Sequence, residues 1–462
     1  MTLKRQLGLT TAMLVVVASM IGTGIFVTTG EVLAVTGNAT LVLFLWLLGG
    51  LVALSGTLSY AELATMMPHV GGEYVYLRKM YGLLPSFLSG WVSLIVGFSA
   101  SIAASALAVS EYSFKLLTYL NPNSSLAHFL TWEWGPKLIA AGAISFFGIL
   151  HMIGIKWGAR VQNFLTIIKI GIVALFILFG FAFADWNAAS RLIATYEPSG
   201  SANMGTLGLA LLMVMFAYSG WNGASYIGGE IKNPGKNLPK ALFWGTFLTM
   251  ILYVFINVVF LLAVDGTTLM TDGKNTAGAL AALNLFGKNF GVFFNLGILL
   301  ILLSSISVQL MIGPRVYYAM AQDHIIFEGL AKVSEKFHTP VFAIGIQILI
   351  SVFYVLLANV TFLIIHMSFA LSIFPLLTVI GLFKLRKTEP NAERPYKVAG
   401  YPYVPLFFII MNIFMMISSL IVWTKTSLTA IAVLLVGIPV FYLWRAFVAK
   451  VVASKSPTPE YE

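Results

Sequence analysis

The sequence predicts an all-α polytopic membrane protein with about twelve transmembrane helices. Of its 462 residues, 59% are hydrophobic and only 10% are charged, whereas a soluble domain carries roughly 25% charged residues. Long apolar runs recur along the whole chain, each close to the roughly 20 residues that a helix needs to cross a bilayer. The lysines and arginines are concentrated in alternate connections between these runs. Lipid is therefore the expected solvent for most of the surface.

The apolar runs form one predicted transmembrane domain, residues 1–450, followed by a polar tail at 451–462. The first run is too long for the apolar core of a signal peptide, so we expect it to stay in the protein. No connection is long enough to hold a soluble catalytic domain. The runs lie at 9–35, 40–66, 86–111, 136–154, 161–183, 204–229, 239–264, 280–314, 340–357, 361–383, 403–424 and 427–448.

The basic residues predict the orientation of the chain. Twelve spans place both termini on one face of the membrane. Of the 27 lysines and arginines, 20 fall on that face, six fall on the opposite face, and Lys169 lies inside a run. Cytoplasmic connections carry such an excess of basic residues, so we predict that both termini are cytoplasmic and that the protein spans the cell membrane. The net charge of +10 then reflects topology, and no nucleic-acid partner is expected.

The composition excludes several kinds of chemistry. The chain has no cysteine, so disulfides, thiolate metal sites and a cysteine nucleophile are impossible. Its six histidines show no metal-ligand spacing, and we expect neither a metal nor a cofactor. The sequence has no paired carboxylates or histidine cluster near an interface, so it does not predict an enzyme. It also lacks the ring of carbonyls or charges that makes an ion-channel filter.

Two of the runs contain glycine-rich breaks near their middle. The first run is interrupted at Gly22–Gly24 and the sixth at Ser219–Gly223. Helices in lipid must satisfy their own backbone hydrogen bonds, so an unwound segment is tolerated only where it faces protein or a water-filled cavity. Glycine can instead serve close helix packing, but Gly22 and Gly24 are two residues apart and do not form a GxxxG face.

The breaks occupy corresponding positions in two predicted halves of five spans each. Residues 9–183 form the first half, residues 204–383 the second, and residues 403–448 add two further helices. Because five is odd, the second half enters the membrane from the opposite side, which makes an inverted repeat. Paired interrupted helices in such repeats are the best sequence indication of a transporter binding site.

The unwound backbone also predicts the chemistry of a ligand. Amide groups at the start of a half-helix lie at its positive end and suit a carboxylate. Carbonyls freed by the unwinding suit an ammonium group. A ligand that carries both groups close together is an α-amino acid.

Lys169 is the one basic residue predicted to lie inside the membrane. It follows Val161 by eight residues, or about 12 Å at ~1.5 Å per residue. An ionisable group at this depth is a functional-site hypothesis, although a lysine can also extend its stem toward the interface. Two functional roles stay open, a switching proton carrier or a fixed cation that binds the unwound carbonyls of the first run.

Three other polar side chains receive simpler interpretations. Glu62 is predicted near the end of the second run, within reach of the interface. Glu230 ends the sixth run, where a salt bridge with a basic loop residue would act as a gate, although an exposed pair contributes little free energy. His366 lies inside the tenth run, where packing is favoured over the alternative role of a proton relay.

Five segments carry a family resemblance that extends over essentially the whole chain. The chain resembles the amino acid–polyamine–organocation superfamily, and within it the L-type amino acid transporters and the bacterial serine/threonine exchangers. The second and fourth segments are the most specific. The segments are IGTGIF at 21–26, SYAELATMMPHVGGEYVYLRKMYG at 59–82, VQNFLTIIK at 161–169, FAYSGWNGASYIGGEIKNPGKNLPKAL at 216–242 and GPRVYYAMAQD at 313–323.

The resemblance implies a leucine-transporter-type fold, alternating access and sodium-independent transport of amino acids, most simply exchange of neutral L-amino acids. It also implies Lys169 as a stand-in for sodium and Phe216 as an aromatic gate. Asn222 falls where relatives carry a side chain that reaches the ligand. The implied carboxylate-binding residues are Gly22, Thr23 and Gly24, and the implied ammonium-binding carbonyls and unwound residues are Ile21, Phe216, Ala217, Ser219 and Gly220.

Two departures from the family pattern refine these expectations. Animal members attach to a heavy subunit through a cysteine that this chain lacks, so a disulfide-linked heavy subunit is excluded and a functional monomer is expected. Asn222 is neutral, which disfavours a strongly cationic substrate. A proton-coupled amino acid symporter, or a permease for a modified amino acid, stays open as the alternative on the same fold.

Overall fold

The computed structural model of the chain describes residues 3–121, 125–198, 203–271, 276–357 and 360–455. These residues form a helical bundle whose loops are joined by isolated β-bridges. Eight helices are long and apolar enough to cross a membrane, and a ninth span is made by a bent pair of helices. Three further helices lie at the sixth, ninth and tenth predicted runs, so each of the twelve runs contains a helix. This arrangement confirms the predicted fold class.

The spans are numbered here in chain order. Several of them extend beyond the predicted runs. Their bounds are Leu9–Met20 with Gly24–Thr36 for span 1, Ala39–Met66 for span 2, Leu83–Leu120 for span 3, Gly135–Met152 for span 4, Ile155–Phe183 for span 5, Met204–Tyr218 for span 6, Pro234–Ala263 for span 7, Gly291–Gln322 for span 8, Val341–Leu357 for span 9, Val360–Thr388 for span 10, Tyr403–Val422 for span 11 and Thr424–Lys455 for span 12.

Both predicted breaks are present, but they differ in form. Span 1 stops at Met20, resumes as an α-helix at Gly24, and bends by 43° between the two parts. Span 6 ends at Tyr218 and continues only as short 3₁₀ turns, Gly223–Tyr226 and Gly228–Glu230. Only span 1 therefore has a second α-helical half whose positive end faces its break.

Gly220 is required by the geometry of the second break. Its φ of +93° lies in the left-handed region, which residues with a Cβ atom rarely adopt. A Cβ atom added there would lie 2.7 Å from both the Cβ and the carbonyl oxygen of Ser19. The two broken spans therefore approach each other backbone to backbone at this point.

Two details of the spans differ from the sequence prediction. The predicted run 280–314 is divided into Ala277–Phe286 and the start of span 8, because Gly287, with φ of +75°, ends the first helix. Span 3 contains a π-helical turn at Ser93–Phe98, and turns of this kind occur frequently at functional sites.

The two ends of the bundle are named by the segments that they carry. The terminal face is the end where Leu7 bridges Ile231, beside the start of span 1. The loop face is the opposite end, where Asn38 bridges Thr195. Between them, the outer surface is strongly apolar, with Phe164 63% exposed and Leu178 62% exposed, as expected for side chains that face lipid.

Candidate functional site

A cavity of about 160 Å³ lies between the two broken spans. Spans 3, 8 and 10 and the short helix Glu73–Tyr81 complete its wall. Most of the residues predicted for the site border it, namely Gly22, Thr23, Gly24, Phe216, Ala217, Ser219, Gly220 and Asn222.

A larger cavity of about 390 Å³ leads from this site toward the loop face. Thr23, Ser101 and Phe216 border both cavities. Phe216 therefore lies at the boundary between the inner cavity and the outer one, which is the position expected of an aromatic gate.

The amide groups of the first break are available to a ligand. Among the residues that the structure describes, the amides of Gly22, Thr23 and Gly24 have no hydrogen-bond acceptor. They lie at the N-terminus of the helix Gly24–Thr36, whose dipole favours negative charge. Adjacent unpaired amides at a helix N-terminus form a site for an anionic group such as a carboxylate.

The carbonyl groups of the breaks are partly occupied by the protein itself. The Ile21 carbonyl accepts hydrogen bonds from Lys169 at 2.7 Å and Ser305 at 3.2 Å, and Ile21 does not border the cavity. The Ala217 carbonyl accepts from the Tyr253 hydroxyl at 3.0 Å. The Phe216 carbonyl accepts from the Ser219 amide at 3.1 Å and the Gly220 carbonyl from the Gly223 amide at 2.9 Å. The Ser219 carbonyl has no donor among the described residues, so it is the best placed of the five to receive an ammonium group.

Lys169 joins span 5 to the end of the first half of span 1. Its side chain is fully buried, so it does not extend to an interface. The ammonium group donates to the carbonyls of Ala18 at 3.1 Å and Ile21 at 2.7 Å, and to the Ser305 hydroxyl at 2.9 Å. This cage of oxygens lies at the negative end of the helix Leu9–Met20, beside the cavity rather than in it.

Comparison with known proteins identifies the family. The model of a family described as amino acid permease matches residues 7–446. This chain is an amino acid permease. The match confirms the resemblance read from the sequence motifs.

The amino acid permease is similar over its length to characterised transporters. It is 34% identical over 443 residues to the serine/threonine exchanger SteT of Bacillus subtilis, covering 95% of this chain and 97% of the exchanger. It is 29% identical to the b(0,+)-type amino acid transporter 1 of Mus musculus, covering 91% of this chain and 83% of that protein. The large neutral amino acids transporter small subunit 2 of Mus musculus is 29% identical, with 96% and 81% covered.

The permease is closed at the terminal face by a buried ion pair. Arg315 donates to both carboxylate oxygens of Glu230, at 2.8 and 3.2 Å. Glu230 is 0% exposed and Arg315 is 1% exposed. The predicted partner was a basic loop residue in an exposed pair, whereas Arg315 lies within span 8 and is shielded from water. The Glu230 carbonyl also accepts from the amides of Gln6 and Leu7, which holds the N-terminal segment across the opening.

Glu62 lies near the end of span 2, as predicted, but it is enclosed in a second buried cluster at the same face. It is 0% exposed, because residues 389–398 fold over the end of span 2. Its carboxylate accepts from Arg386 at 2.9 Å and from the Val398 amide at 2.8 Å, and it pairs with Arg394 at 3.2 Å. The substrate path is therefore closed at the terminal face while the larger cavity opens toward the loop face.

Breaking the Glu230–Arg315 pair is expected to open the terminal face. Glu230→Gln leaves a buried guanidinium without its counter-charge, which costs about 3–5 kcal/mol. The state that is closed at this face should lose population by more than about a hundredfold, at ~1.4 kcal/mol per tenfold. Because the chain has no native cysteine, Ser93→Cys on the cavity wall can report opening through its rate of labelling by a charged maleimide added at the terminal face.

The matched control for this experiment is Glu328→Gln. Glu328 is 75% exposed and pairs with the exposed His324, so its replacement should leave the labelling of Ser93→Cys unchanged. Equal labelling rates in Glu230→Gln and in the unmodified background would contradict the gating role of the pair.

Several side chains of the site were not identified from the sequence. Ser93 and Phe98 reach the cavity through the π-helical turn of span 3, which has no signal in the sequence. Glu73 and Tyr226 also border the cavity. Both lie in segments that carry the family resemblance, so those segments were the available signal, but neither residue lies in an apolar break.

Several serines and one tryptophan near the breaks are divided between the site and packing. Ser101, Ser105 and Ser305 border the cavity. Ser99 instead accepts from Gln347 at 2.7 Å. Trp221 does both, since it borders the cavity and packs edge-on against Tyr60, with 4.7 Å between ring centroids. The side chain of His366 lies outside the described part of the structure.

Proposed function

We propose that this permease exchanges neutral L-amino acids across the cell membrane by alternating access, without sodium and without catalysing a chemical reaction. The main support for the proposal is that hydrogen-bond donors and an acceptor, both without protein partners among the described residues, border the same cavity. The unpaired amides at Gly22–Gly24 suit the α-carboxylate, and the carbonyl of Ser219 suits the α-ammonium. The relatives, which include a serine/threonine exchanger, support the same substrate class.

The remaining wall of the cavity supports a substrate with a neutral side chain. Phe98, Ile312 and Leu371 are apolar, and Asn222 is polar but uncharged. Glu73 is the one carboxylate among the described lining residues, and it accepts a hydrogen bond from Tyr60 at 2.9 Å. Because Glu73 is only 6% exposed, it is not placed to receive a solvated cationic side chain.

The Lys169 cage supports sodium independence. An ammonium group surrounded by two carbonyls and a hydroxyl occupies the kind of oxygen site that would otherwise hold a monovalent cation. This fixed positive charge offsets the negative end of the dipole of the helix Leu9–Met20, so no bound ion is needed there.

The packing of the spans supports the proposed inverted repeat of residues 9–183 and 204–383. Spans five apart in the chain pack against each other, as spans 1 and 6, 2 and 7, 3 and 8, and 4 and 9 do. Spans 11 and 12 extend beyond the repeat, as proposed for residues 403–448. The protein would function as a monomer in the lipid bilayer with the basic terminal face in the cytoplasm.

Competition by blocked amino acids tests the two-ended site. Purified permease in liposomes that contain unlabelled serine should take up labelled serine, and free neutral L-amino acids should compete. The methyl ester, the amino alcohol and the N-acetyl form should compete at least about tenfold less well, since each leaves buried polar groups without partners. The D-enantiomer serves as a control of matched composition and charge.

The alternative outcomes are distinct. Equal competition by the amino alcohol and its parent amino acid would contradict the carboxylate site, and equal competition by the N-acetyl form would contradict the ammonium site. Failure of every free amino acid to compete would contradict the proposed function as a whole.

A further inference from the structure

Glu73 is a buried carboxyl group that the proposed transport mechanism does not use. It begins the short helix Glu73–Tyr81, between spans 2 and 3, and it is 6% exposed. In the part of the chain that the structure describes, it has no ion-pair partner. Its neighbours are instead hydroxyl groups. The Tyr60 hydroxyl donates to it at 2.9 Å and the Ser89 hydroxyl lies at 3.5 Å.

Glu73 is held against the second broken span. Gly72, with φ of +56°, packs so closely on the ring of Tyr226 that an added Cβ atom would lie 2.6 Å from it. The Gly71 amide donates to the Tyr226 carbonyl at 2.9 Å. The Tyr226 hydroxyl also lies near enough to the Glu73 carboxylate to interact with it electrostatically. These backbone contacts hold the phenol of Tyr226 beside the carboxyl group of Glu73.

Tyr226 connects Glu73 to the proposed substrate site. The Asn222 amide nitrogen donates to the Tyr226 hydroxyl at 3.4 Å, and Asn222 borders the cavity. The three side chains therefore lie in a row, Glu73–Tyr226–Asn222, here called the relay, which ends on a group that borders the cavity. Each of them is able to reverse its hydrogen-bonding role, since a phenol donates or accepts, an amide has both ends, and a carboxyl group donates only when protonated.

We propose that Glu73 is a proton-binding residue that positions Asn222, so that the gain or loss of a proton on its carboxyl group reverses the relay and changes the affinity for substrate. When Glu73 is ionised it accepts from Tyr226, whose oxygen then accepts from the Asn222 amide nitrogen, leaving the Asn222 oxygen for the cavity. When Glu73 is protonated it donates to Tyr226, which in turn donates to the Asn222 oxygen, and the amide nitrogen turns to the cavity. This inference rests on the proposed function, because it takes Asn222 as a substrate contact.

The surroundings of Glu73 allow both forms to exist near neutral pH. Burial raises the pKa of the Glu73 carboxyl group to about 7, against the opposing effect of the hydrogen bonds from Tyr60, Tyr226 and Ser89. The carboxyl group is therefore mostly protonated below about pH 7 and mostly ionised above it.

The other ionisable groups on the packed elements are engaged elsewhere. Tyr76, on the same helix, faces Glu73 as a neutral phenol. Three charged residues on spans 8 and 10 and on the segment between spans 8 and 9 have other partners. Lys384 donates to the Met80 carbonyl at 2.6 Å, Arg315 pairs with Glu230 at 2.8 Å, and Asp323 accepts from Tyr74 at 2.6 Å.

The first test is the pH dependence of substrate affinity, measured as the KM of exchange in liposomes with equal pH on both sides. For the unmodified permease, the KM should change by about threefold to tenfold between about pH 6 and about pH 8, as expected when one hydrogen bond to the substrate changes character. Glu73→Gln, whose amide donates as the protonated acid does, should keep the acidic-side KM at every pH. Glu328→Gln, an exposed glutamate on the same face, should keep the pH dependence.

The second test separates a relay from a merely structural role. Tyr226→Phe breaks the relay but leaves the carboxyl group in place, so its KM should lose the pH dependence. Infrared difference spectra between the two pH values should still show the carbonyl stretch of a protonated carboxyl group in Tyr226→Phe and lose that band in Glu73→Gln. The spectra need no transport, so they test the proton site even if Glu73→Gln is inactive.

The outcomes distinguish the inference from the function on which it rests. A pH-independent KM in the unmodified permease, a retained pH dependence in Tyr226→Phe, or an infrared band that survives Glu73→Gln would each overturn the relay while leaving amino acid exchange intact. Absence of amino acid exchange at every pH would overturn the proposed function instead, and the infrared band would then still report whether Glu73 binds the proton.

Discussion

Lys169→Ala is expected to cut exchange by at least about tenfold while reducing amino acid binding by much less. The ammonium group donates to Ala18, Ile21 and Ser305, and a hydrogen bond from a charged group contributes about 1.5–3 kcal/mol. Its removal leaves buried carbonyls unpaired and detaches the end of the first half of span 1 from span 5. Binding should suffer less because Lys169 does not border the cavity. Uptake and ligand-dependent thermal shift measure the two effects separately.

Two variants serve as controls for this experiment. Lys156→Ala removes an exposed lysine from the same span and should leave exchange unchanged. Lys169→Arg should restore little activity, since a planar guanidinium does not fit a cage shaped for a compact ammonium. Normal exchange by Lys169→Ala would contradict the bridging role.

The driving force of uptake separates the two roles left open for Lys169. A fixed cation predicts uptake that depends on amino acid inside the liposomes and is indifferent to removal of a pH gradient. A proton carrier predicts inward flux that collapses when the gradient is removed. Sustained uptake into empty liposomes, driven by a proton gradient alone, would replace exchange with proton-coupled symport.

Gly24→Val is expected to abolish uptake without preventing membrane insertion. An added Cβ atom would lie 3.0 Å from the Cα atom and 3.1 Å from the Cβ atom of Ala217. The branched side chain would push the two broken spans apart and cover the unpaired amides that we assign to the carboxylate. Uptake of labelled amino acid and the elution profile of the detergent-solubilised protein measure activity and folding.

Gly171→Val provides a matched control in span 5. A Cβ atom at Gly171 meets no other atom within 4 Å, so this variant should retain uptake. Near-normal transport by Gly24→Val would contradict the carboxylate site, and loss of transport in both variants would indicate a general effect of valine on the spans.

The features that were predictable from the sequence depend on local properties of its segments. The excess of apolar residues and the distribution of lysine and arginine predicted the spans, and the glycines at 22–24 and 220–223 predicted where two of them unwind. The depth of Lys169 predicted an intramembrane cation. Each of these inferences depends on a property of one segment, such as its hydrophobicity or the conformational freedom of glycine.

Predictions that depended on the partner of a side chain were less successful. Glu62 was predicted within reach of the interface, yet it is enclosed by protein, because Arg386 and Arg394 reach it from more than 300 positions away along the chain. The run 204–229 was predicted as one broken helix, yet its second half contains only 3₁₀ turns. Tertiary contacts, which hold Tyr226 and Glu230 in place, override the local preference there.

The sequence alone determined the membrane-spanning class of this protein, the positions of its two helix breaks and the presence of a buried lysine, since hydrophobicity, glycine content and charge are local properties. Only the tertiary structure decided which groups the breaks leave for a ligand. It showed that Lys169 donates to the Ile21 carbonyl, that the Gly22–Gly24 amides stay unpaired among the described residues, and that Asn222 hydrogen-bonds Tyr226. Burial and hydrogen-bond partners are set by segments that are distant in the chain and meet only when the spans pack.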